Sequence, residues 1–269
     1  MRTKTIFLAS ALALTTSCEQ PEITCRVAPG GFAVKYSLTS GSGVCSELKG
    51  ETVGMHGYSP PGADPQVGPD LSTKQVALRA ERLGDLYYLA AVAEEILGTP
   101  VLDPAATLSS VGTFASTAPD GEGFCTAPAA SPARQNLPLI PERADPDDPD
   151  GVAMLPEEPA HDITYTWTNV KVHVTAQEAG TTMSADLEYT ENGCTATYSV
   201  VGLYPSVSCE KTAADGSPTG LPDDAICKVE ADPERGIAQG SGIDPGLFDS
   251  VRCDPELLLC VLNRAPGGG

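Results

Sequence analysis

ITYTWTNVKVHVTAQEAGTTMSADLEYTENGCTATYSVVGL, residues 163 to 203, is the stretch that decides the fold. It predicts three antiparallel strands. Asn192-Gly193 predicts a two-residue turn between the last two strands, because a type I′ turn needs positive φ at both central residues. That turn sets three pairs, which share one apolar face: Tyr189 with Ala196, Leu187 with Tyr198, and Ala185 with Val200. A one-residue slip would turn this face outward, so the register is well specified.

The first of the three strands changes the parity of its apolar residues partway along. Tyr165 and Trp167 hold odd positions, whereas Val170 and Val172 hold even positions. One extra residue in a strand shifts the alternation in this way. We therefore expect a β-bulge near residues 168–169.

Charge and composition limit the classes of function. The 269-residue chain has 36 acidic and 16 basic residues, for a formal net charge of −20. Such a surface repels nucleic acid and anionic lipid head groups, so we expect no nucleic-acid partner. The 27 glycines and 24 prolines predict a loop-rich chain whose few aromatic residues leave the core to aliphatic side chains and disulfides.

The N-terminal 17 residues, MRTKTIFLASALALTTS, follow the plan of a signal peptide. Arg2 and Lys4 form a charged segment, and the apolar segment at 6–14 is too short to span a bilayer. Small residues and then Cys18 follow. Here the sequence resembles bacterial lipoproteins, in which such a motif precedes a cysteine that is lipidated after cleavage. The resemblance implies that Cys18 is the lipidated N-terminus of the mature chain.

Lipidation would make residues 18–24 a tether to the cell envelope through palmitate-type acyl chains. Glu19 follows the cysteine in place of the aspartate that retains some lipoproteins in the inner membrane, which favours the outer membrane. The chain thus resembles envelope lipoproteins of Gram-negative bacteria that have no assigned function. The alternative is an ordinary secretory signal and a soluble, secreted protein.

The cysteines predict a disulfide framework. All nine are widely spaced, namely Cys18, Cys25, Cys45, Cys125, Cys194, Cys209, Cys227, Cys253 and Cys260. The absence of a CxxC pair disfavours zinc, and dispersed cysteines behind an export signal favour an oxidising compartment. With Cys18 lipidated, we expect the other eight to pair. Cys25–Cys45 is the preferred pair, Cys194–Cys209 is a weaker preference, and the other partners stay open.

Five further segments complete the predicted organisation of the chain. Residues 32–38 and 51–58 predict two strands, and residues 107–117 predict another. Residues 72–97 predict one long helix, because apolar residues recur at helical spacing and Gly98 stands at the expected end. Residues 128–160 are rich in proline and aspartate and predict an extended loop.

These elements predict an α+β fold. One antiparallel sheet of five or six strands would be covered by the helix at 72–97, which would pack on the face of Leu187 and Tyr198. Residues 25–210 would form a single domain that contains the loop at 128–160. Residues 211–269 would form an irregular tail held by disulfides. The alternative is two small domains joined at 128–160.

The sequence contains one candidate metal site. The three histidines, His56, His161 and His173, lie in no nucleophile or metal motif. In the acidic loop, Asp148, Asp150 and Glu157 match positions 3, 5 and 12 of an EF-hand calcium loop. Prolines and the lack of flanking helices depart from that pattern. Calcium is therefore the one possible cofactor, against a main expectation of none.

Three functions remain as hypotheses. The first is a non-enzymatic, monomeric envelope lipoprotein that serves as a structural or interaction module, with a protein or glycan partner that the sequence does not identify. The second is a calcium-stabilised binding or adhesion module. The third is an enzyme of unknown class, which would require histidines or carboxylates to converge in one pocket.

Overall fold

The computed structural model describes residues 22–64, 66–144, 154–235 and 239–267. The fold is mostly β, with 45% of the described residues in strands or bridges and 14% in helical segments. The strands are β1 (Gly30–Ser40), β2 (Gly50–Tyr58), β3 (Gln75–Ala80), β4 (Ser110–Thr113), β5 (Phe124–Ala129), β6 (Ala133–Leu137), β7 (His161–Val174), β8 (Ala179–Glu191), β9 (Cys194–Leu203), β10 (Glu210–Thr212), β11 (Pro218–Pro222), β12 (Val251–Asp254) and β13 (Leu259–Leu262). The α-helices are α1 (Glu81–Leu97) and α2 (Asp224–Cys227), and short 3-10 segments cover Val44–Ser46, Pro233–Arg235 and Pro245–Ser250.

Nine strands form one antiparallel sheet that closes on itself. The strand order is β4-β3-β2-β1-β9-β8-β7-β5, and β6 pairs with the other half of β7. The two ends of this order meet, because Gly112 in β4 bridges Ala130 after β5, and Thr107 bridges Arg134 in β6. Within the described residues, closure therefore joins the two edges of this sheet to each other.

The interior of the closed sheet is filled by side chains from strands on opposite sides. Tyr36 of β1 contacts Trp167 of β7 with ring centroids 6.3 Å apart, although two strands separate β1 from β7 in the sheet. Tyr165 extends this cluster, because it contacts Trp167 of its own strand and its cross-strand partner Tyr189 of β8. The four rings of this cluster are buried, and each removes a large area from water.

The central hairpin has the predicted register. Leu187 pairs with Tyr198, and Asn192 and Gly193 at the turn have φ values of 50° and 80°. The predicted bulge is also confirmed, because the pairing of β7 with β8 shifts between Thr168 and Lys171. The alternation of apolar and polar residues was therefore sufficient to place this part of the sheet.

The predicted α+β class is wrong. The sheet has nine strands rather than five or six, and no long helix covers it. The segment predicted as a helix over 72–97 is strand β3 followed by α1, a helix of 17 residues. Helix α1 packs against β2, β3 and β6 at one end of the sheet, not on the Leu187 and Tyr198 face, which points to the interior.

The error at 72–80 has a physical cause. Apolar Val76, Leu78 and Ala80 stand at every second position. The same residues therefore fit the two-residue period of a strand as well as the helical period. Pairing with β2 decides the outcome, and it buries all three residues. Ser72 does not cap a helix, since its backbone N–H and hydroxyl both donate to Asp70. Gly98 ends α1 as predicted, at φ 65°.

The loop predicted at 128–160 contains ordered strand at its beginning. Strand β5 extends to Ala129, and β6 follows at Ala133–Leu137. Further along, Ile140 bridges Glu158 and Arg143 bridges Leu155, so the described part of this segment folds back on itself. Proline disfavours central strands, but the short strands between the prolines still fit the closed sheet.

The C-terminal segment forms a second, smaller cluster on the outside of the sheet. Strands β10 and β11 pair with each other, as do β12 and β13. Leu203 of β9 packs with Cys227, Val251 and Leu262 of this segment, and Lys35 of β1 forms an ion pair with Asp254 at 2.6 Å. The segment predicted as an irregular tail is therefore a small β unit on the outer face of β1 and β9. No described helix is long and apolar enough to cross a membrane.

The eight cysteines from Cys25 onward form four disulfides. The pairs are Cys25–Cys125, Cys45–Cys194, Cys209–Cys253 and Cys227–Cys260. Both preferred pairings, Cys25–Cys45 and Cys194–Cys209, are wrong for one reason: a full strand lies between the partners, β1 in the first case and β9 in the second. An extended strand of ten residues spans roughly 33 Å, far beyond the reach of a disulfide.

This connectivity can be tested by mass spectrometry. We expect digestion without reduction to give the four linked peptides above, and intact mass to rise by eight hydrogens on reduction. Replacing Cys45 and Cys194 together by alanine should lower the free energy of unfolding by about 2–5 kcal/mol, as loss of a native disulfide does in small secreted domains. A peptide that links Cys25 to Cys45 would contradict the fold.

Candidate functional site

A cavity opens at the end of the closed sheet where β7 begins and β8 ends. Its volume is about 370 Å³, and it is lined by Leu48, Gly50, Glu51, Glu81, Arg82, Asp85, Leu86, Glu158 and His161. Strand β2 and the first two turns of α1 form one side, and the segment before β7 forms the other. We call this cavity the mouth pocket. It collects more ionisable side chains than a packing role requires.

Glu51 lies where the mouth pocket meets the interior of the sheet. Its Oε1 accepts hydrogen bonds from the hydroxyls of Tyr36 and Tyr165, each at 2.9 Å. Its Oε2 accepts the backbone N–H of Arg82 at 3.0 Å. Ala80 offers no side-chain cap to α1, so Glu51 of the neighbouring strand supplies an acceptor for an otherwise unpaired helix N–H. Burial raises the pKa of Glu51, although these three hydrogen bonds oppose that effect.

A chain of charged groups runs beside Glu51. The Arg82 guanidinium donates to Glu191 Oε1 at 2.6 Å, and the hydroxyl of Tyr189 donates to Glu191 Oε2 at 2.8 Å. The two ring nitrogens of His161 lie 2.9 Å from Glu191 Oε1 and 2.8 Å from Glu158 Oε1. This chain connects α1, β7, β8 and the segment before β7 at one point.

The electrostatics of Glu191 balance burial against its partners. Its side chain is 10% exposed, and burial alone would raise its pKa. The hydrogen bonds of Tyr189 and His161 and the charge of Arg82 outweigh burial and hold the pKa of Glu191 below its ordinary value. Burial raises the pKa of the Tyr189 hydroxyl, and its hydrogen bond to Glu191 raises that pKa further.

The predicted site residues do not meet in this pocket. Cys18, Asp148 and Asp150 lie outside the described residues, and the EF-hand-like calcium loop stays a prediction. Glu157 is exposed, whereas the adjacent Glu158 belongs to the mouth pocket. Within the described ranges, one group of metal-ligand side chains converges within 4.8 Å, and its members Cys209, Cys227 and Cys260 are engaged in disulfides.

The histidines have separate environments. His173 accepts or donates a hydrogen bond with Glu178 at 2.7 Å and packs against Phe124, at the opposite end of the sheet. His56 stacks on Tyr58 on the surface. Of the three, only His161 reaches the mouth pocket.

Sequence reasoning missed Glu51, Arg82 and Glu191. For Glu51 and Glu191, the sequence does contain a signal, namely their position in the alternation of the strand. Glu51 has the same parity as the inward-facing Val53 and Met55, and Glu191 has the same parity as Tyr189. An ionisable residue at an inward position of a strand is costly unless it is paired. An ionisable residue at such a position therefore marks a candidate site even where no catalytic motif is present.

The N-terminal segment joins the sheet at the end opposite the mouth pocket. Cys25 is bonded to Cys125, which pairs with Val172 near the end of β7, whereas His161 starts that strand. Nearby, Ala28 N–H donates to the carbonyl of Gly180, and a Cβ at Gly180 would lie 2.4 Å from the carbonyl oxygen of Arg26. Eleven residues of strand, roughly 35 Å, separate the two ends.

The fold and site define a disulfide-linked protein with one closed antiparallel sheet and an ionisable pocket at one end. Residues 30–205 match the family model for MlpA, and the chain belongs to this family. A curated relative, "Putative lipoprotein MlpA" of Myxococcus xanthus, is 27% identical over 260 residues, which cover 93% of this chain and 88% of the relative. No solved structure gives a significant match.

The Arg82–Glu191 contact can be tested through the pH dependence of stability. We expect Glu191→Gln to lower the free energy of unfolding by about 1–3 kcal/mol at pH 7, because it leaves a partly buried guanidinium without its carboxylate. The depressed pKa of Glu191 stabilises the fold above the pKa of the unfolded chain, and this contribution is lost as pH falls through the folded pKa. The difference in the free energy of unfolding between wild type and Glu191→Gln should therefore shrink below about pH 4.

The measurement is urea unfolding across this pH range. Glu188→Gln on the same strand is the matched control, since its side chain is exposed and its loss of charge is identical. Equal free energies of unfolding for Glu191→Gln and Glu188→Gln at pH 7 would contradict the Arg82–Glu191 contact. A difference between the two variants that grows as pH falls would also contradict it.

Proposed function

We propose that this protein is a non-enzymatic lipoprotein of the cell envelope that acts as an interaction module. The membership of a family with a relative named as a lipoprotein supports this proposal. The plan of the N-terminus and Cys18 supports it independently. The four disulfides fit an exported protein, because such bonds persist in oxidising compartments.

The placement of the two ends of the sheet carries the proposal. A chain anchored through Cys18 would be held near the end where Cys25 and Gly180 lie. The mouth pocket would then open away from the lipid surface, toward soluble molecules. A binding module on a membrane needs this arrangement, whereas a purely structural tether has no need of an accessible pocket.

The hydrogen bonds of the pocket favour binding over catalysis. Each ring nitrogen of His161, the one histidine that lines the pocket, faces a carboxylate. A general base needs a free lone pair directed at the proton that it removes. Groups held in this way are instead suited to present a fixed charge to a ligand.

The outer membrane remains the proposed location.

Detergent partitioning of the full chain tests the anchor. We expect wild-type protein, expressed in a Gram-negative host, to enter the detergent phase and Cys18→Ser to remain in the aqueous phase. Each buried CH₂ of an acyl chain contributes about 0.8 kcal/mol, so several chains together anchor even an acidic protein. The mass of the N-terminal peptide should show Cys18 with acyl chains.

Two controls make the result decisive. Intact mass should show four disulfides in both proteins, so that a change of phase reflects the lipid rather than misfolding. Separation of the inner and outer membranes then tests the proposed location. If wild-type protein stays in the aqueous phase and has a free N-terminus, the lipid anchor is wrong and the protein is secreted in soluble form.

A further inference from the structure

We propose that the mouth pocket binds a small aliphatic amine, with the ammonium group against Glu51, Glu81 and Asp85 and the carbon chain against Leu48 and Leu86. This inference deepens the proposed function, since it assigns a ligand class to the interaction module. The feature that carries it is a cavity of about 370 Å³, one of whose lining carboxylates, Glu51, is hydrogen-bonded to the buried Tyr165. Small-molecule sites have volumes of about 300–1,000 Å³.

The charges of the cavity do not cancel. Four carboxylates line it, against Arg82 and His161. Arg82 is already paired with Glu191, and His161 lies between Glu191 and Glu158. Among the described residues, no basic side chain lies within ion-pair distance of Glu51, Glu81 or Asp85. The excess is therefore negative, and it favours a cation over an anion.

The position of Glu51 is fixed from the inside of the sheet. The hydroxyls of Tyr36 and Tyr165 hold its carboxyl group from two strands on opposite sides of the interior. Both tyrosine side chains are buried, so the carboxylate cannot move far without disturbing the core. A charge that is held in place before the ligand arrives loses little conformational freedom on binding.

The remaining walls select an organic amine rather than a hydrated metal ion. Leu48 and Leu86 line the cavity beside the carboxylates. Contact with these side chains buries the apolar surface of an alkyl chain, which favours binding. Calcium instead requires six to eight oxygen ligands, and the leucine side chains supply none. The chemistry of the walls thus matches a molecule with a charged end and an apolar body.

Binding should be linked to proton release from Glu51. Burial raises the pKa of Glu51, and the neighbouring Glu81 carboxylate raises it further. A bound ammonium group stabilises the ionised form of Glu51 and so lowers this pKa. Affinity for the amine should therefore increase as pH rises above the ordinary pKa of a glutamate, because the raised pKa of Glu51 delays its ionisation.

Calorimetric titration of the full chain in non-ionic detergent tests the proposal. The probes are butane-1,4-diamine and butylamine, with butan-1-ol as the uncharged match and butyrate as the anion. We expect saturable binding of one amine per chain at low ionic strength. We expect no binding of butanol or butyrate.

Three matched variants locate the site. Glu51→Gln should weaken amine binding by at least about tenfold, as loss of a partly buried charge partner does. Asp85→Asn, at an exposed helix position that is free of folding risk, should weaken it by about two- to fivefold. Glu188→Gln removes one negative charge from the outer face of β8 and should leave binding unchanged. Circular dichroism checks the fold of each variant.

Several results would overturn the proposal. Equal weakening by Glu188→Gln would show general attraction of cations to an acidic surface. Unsaturable binding, or full affinity in both Glu51→Gln and Asp85→Asn, would place the amine elsewhere. Binding of butyrate would identify an anion site. Titration of Cys18→Ser separates the two proposals, because the pocket should bind the amine whether or not the chain is anchored.

Discussion

Closure of the nine-stranded sheet is the constraint on which the rest of the structure depends. Once β4 meets the segment after β5, the inward side chains share a limited interior volume. Tyr36 and Trp167 make contact there although their strands are not neighbours. The aromatic residues are few, but closure places them together, where each ring removes a large area from water. The disulfides Cys25–Cys125 and Cys45–Cys194 tie the N-terminal segment and the loop after β1 to this same sheet.

The mouth pocket follows from the same constraint. A closed sheet has two ends, and the inward residues closest to an end are too near water to be apolar core. Glu51 and Glu191 occupy such positions, and both need partners because a carboxylate loses hydration there. Helix α1 supplies them: its backbone N–H at Arg82 meets Glu51, and the Arg82 side chain meets Glu191.

The local parts of this fold could be predicted from sequence, and the long-range parts could not. Asn192-Gly193 and the alternation around Leu187 contain enough information to set the hairpin register. Residues 72–80 carry both a helical and a strand periodicity, and only the pairing of β3 with β2 decides between them. Tertiary context overrides propensity in such segments.

The disulfides and the site illustrate a second limit. Cys25 and Cys45 are close in sequence but lie at opposite ends of β1, whereas Cys25 and Cys125 meet only because the sheet closes. Likewise, Glu51 and Tyr165 belong to β2 and β7, which three other strands separate in the sheet. No spacing rule relates such residues. The inward parity of Glu51 could have marked it as unusual, but not identified its partners.

The two ends of the sheet can be altered independently of the core, and this bears on how the protein works. The interior rings and the hairpin register fix the scaffold, while the charges of the mouth pocket lie on the start of β2, the first turns of α1 and the segment before β7. Changes at these strand and helix ends alter the ligand that a rigid scaffold presents. The disulfide Cys25–Cys125 joins the described N-terminal segment to the sheet roughly 35 Å along the strands from that pocket. Under the proposed function, anchoring and recognition would therefore be separate in space, and each would depend on the closed sheet rather than on the other.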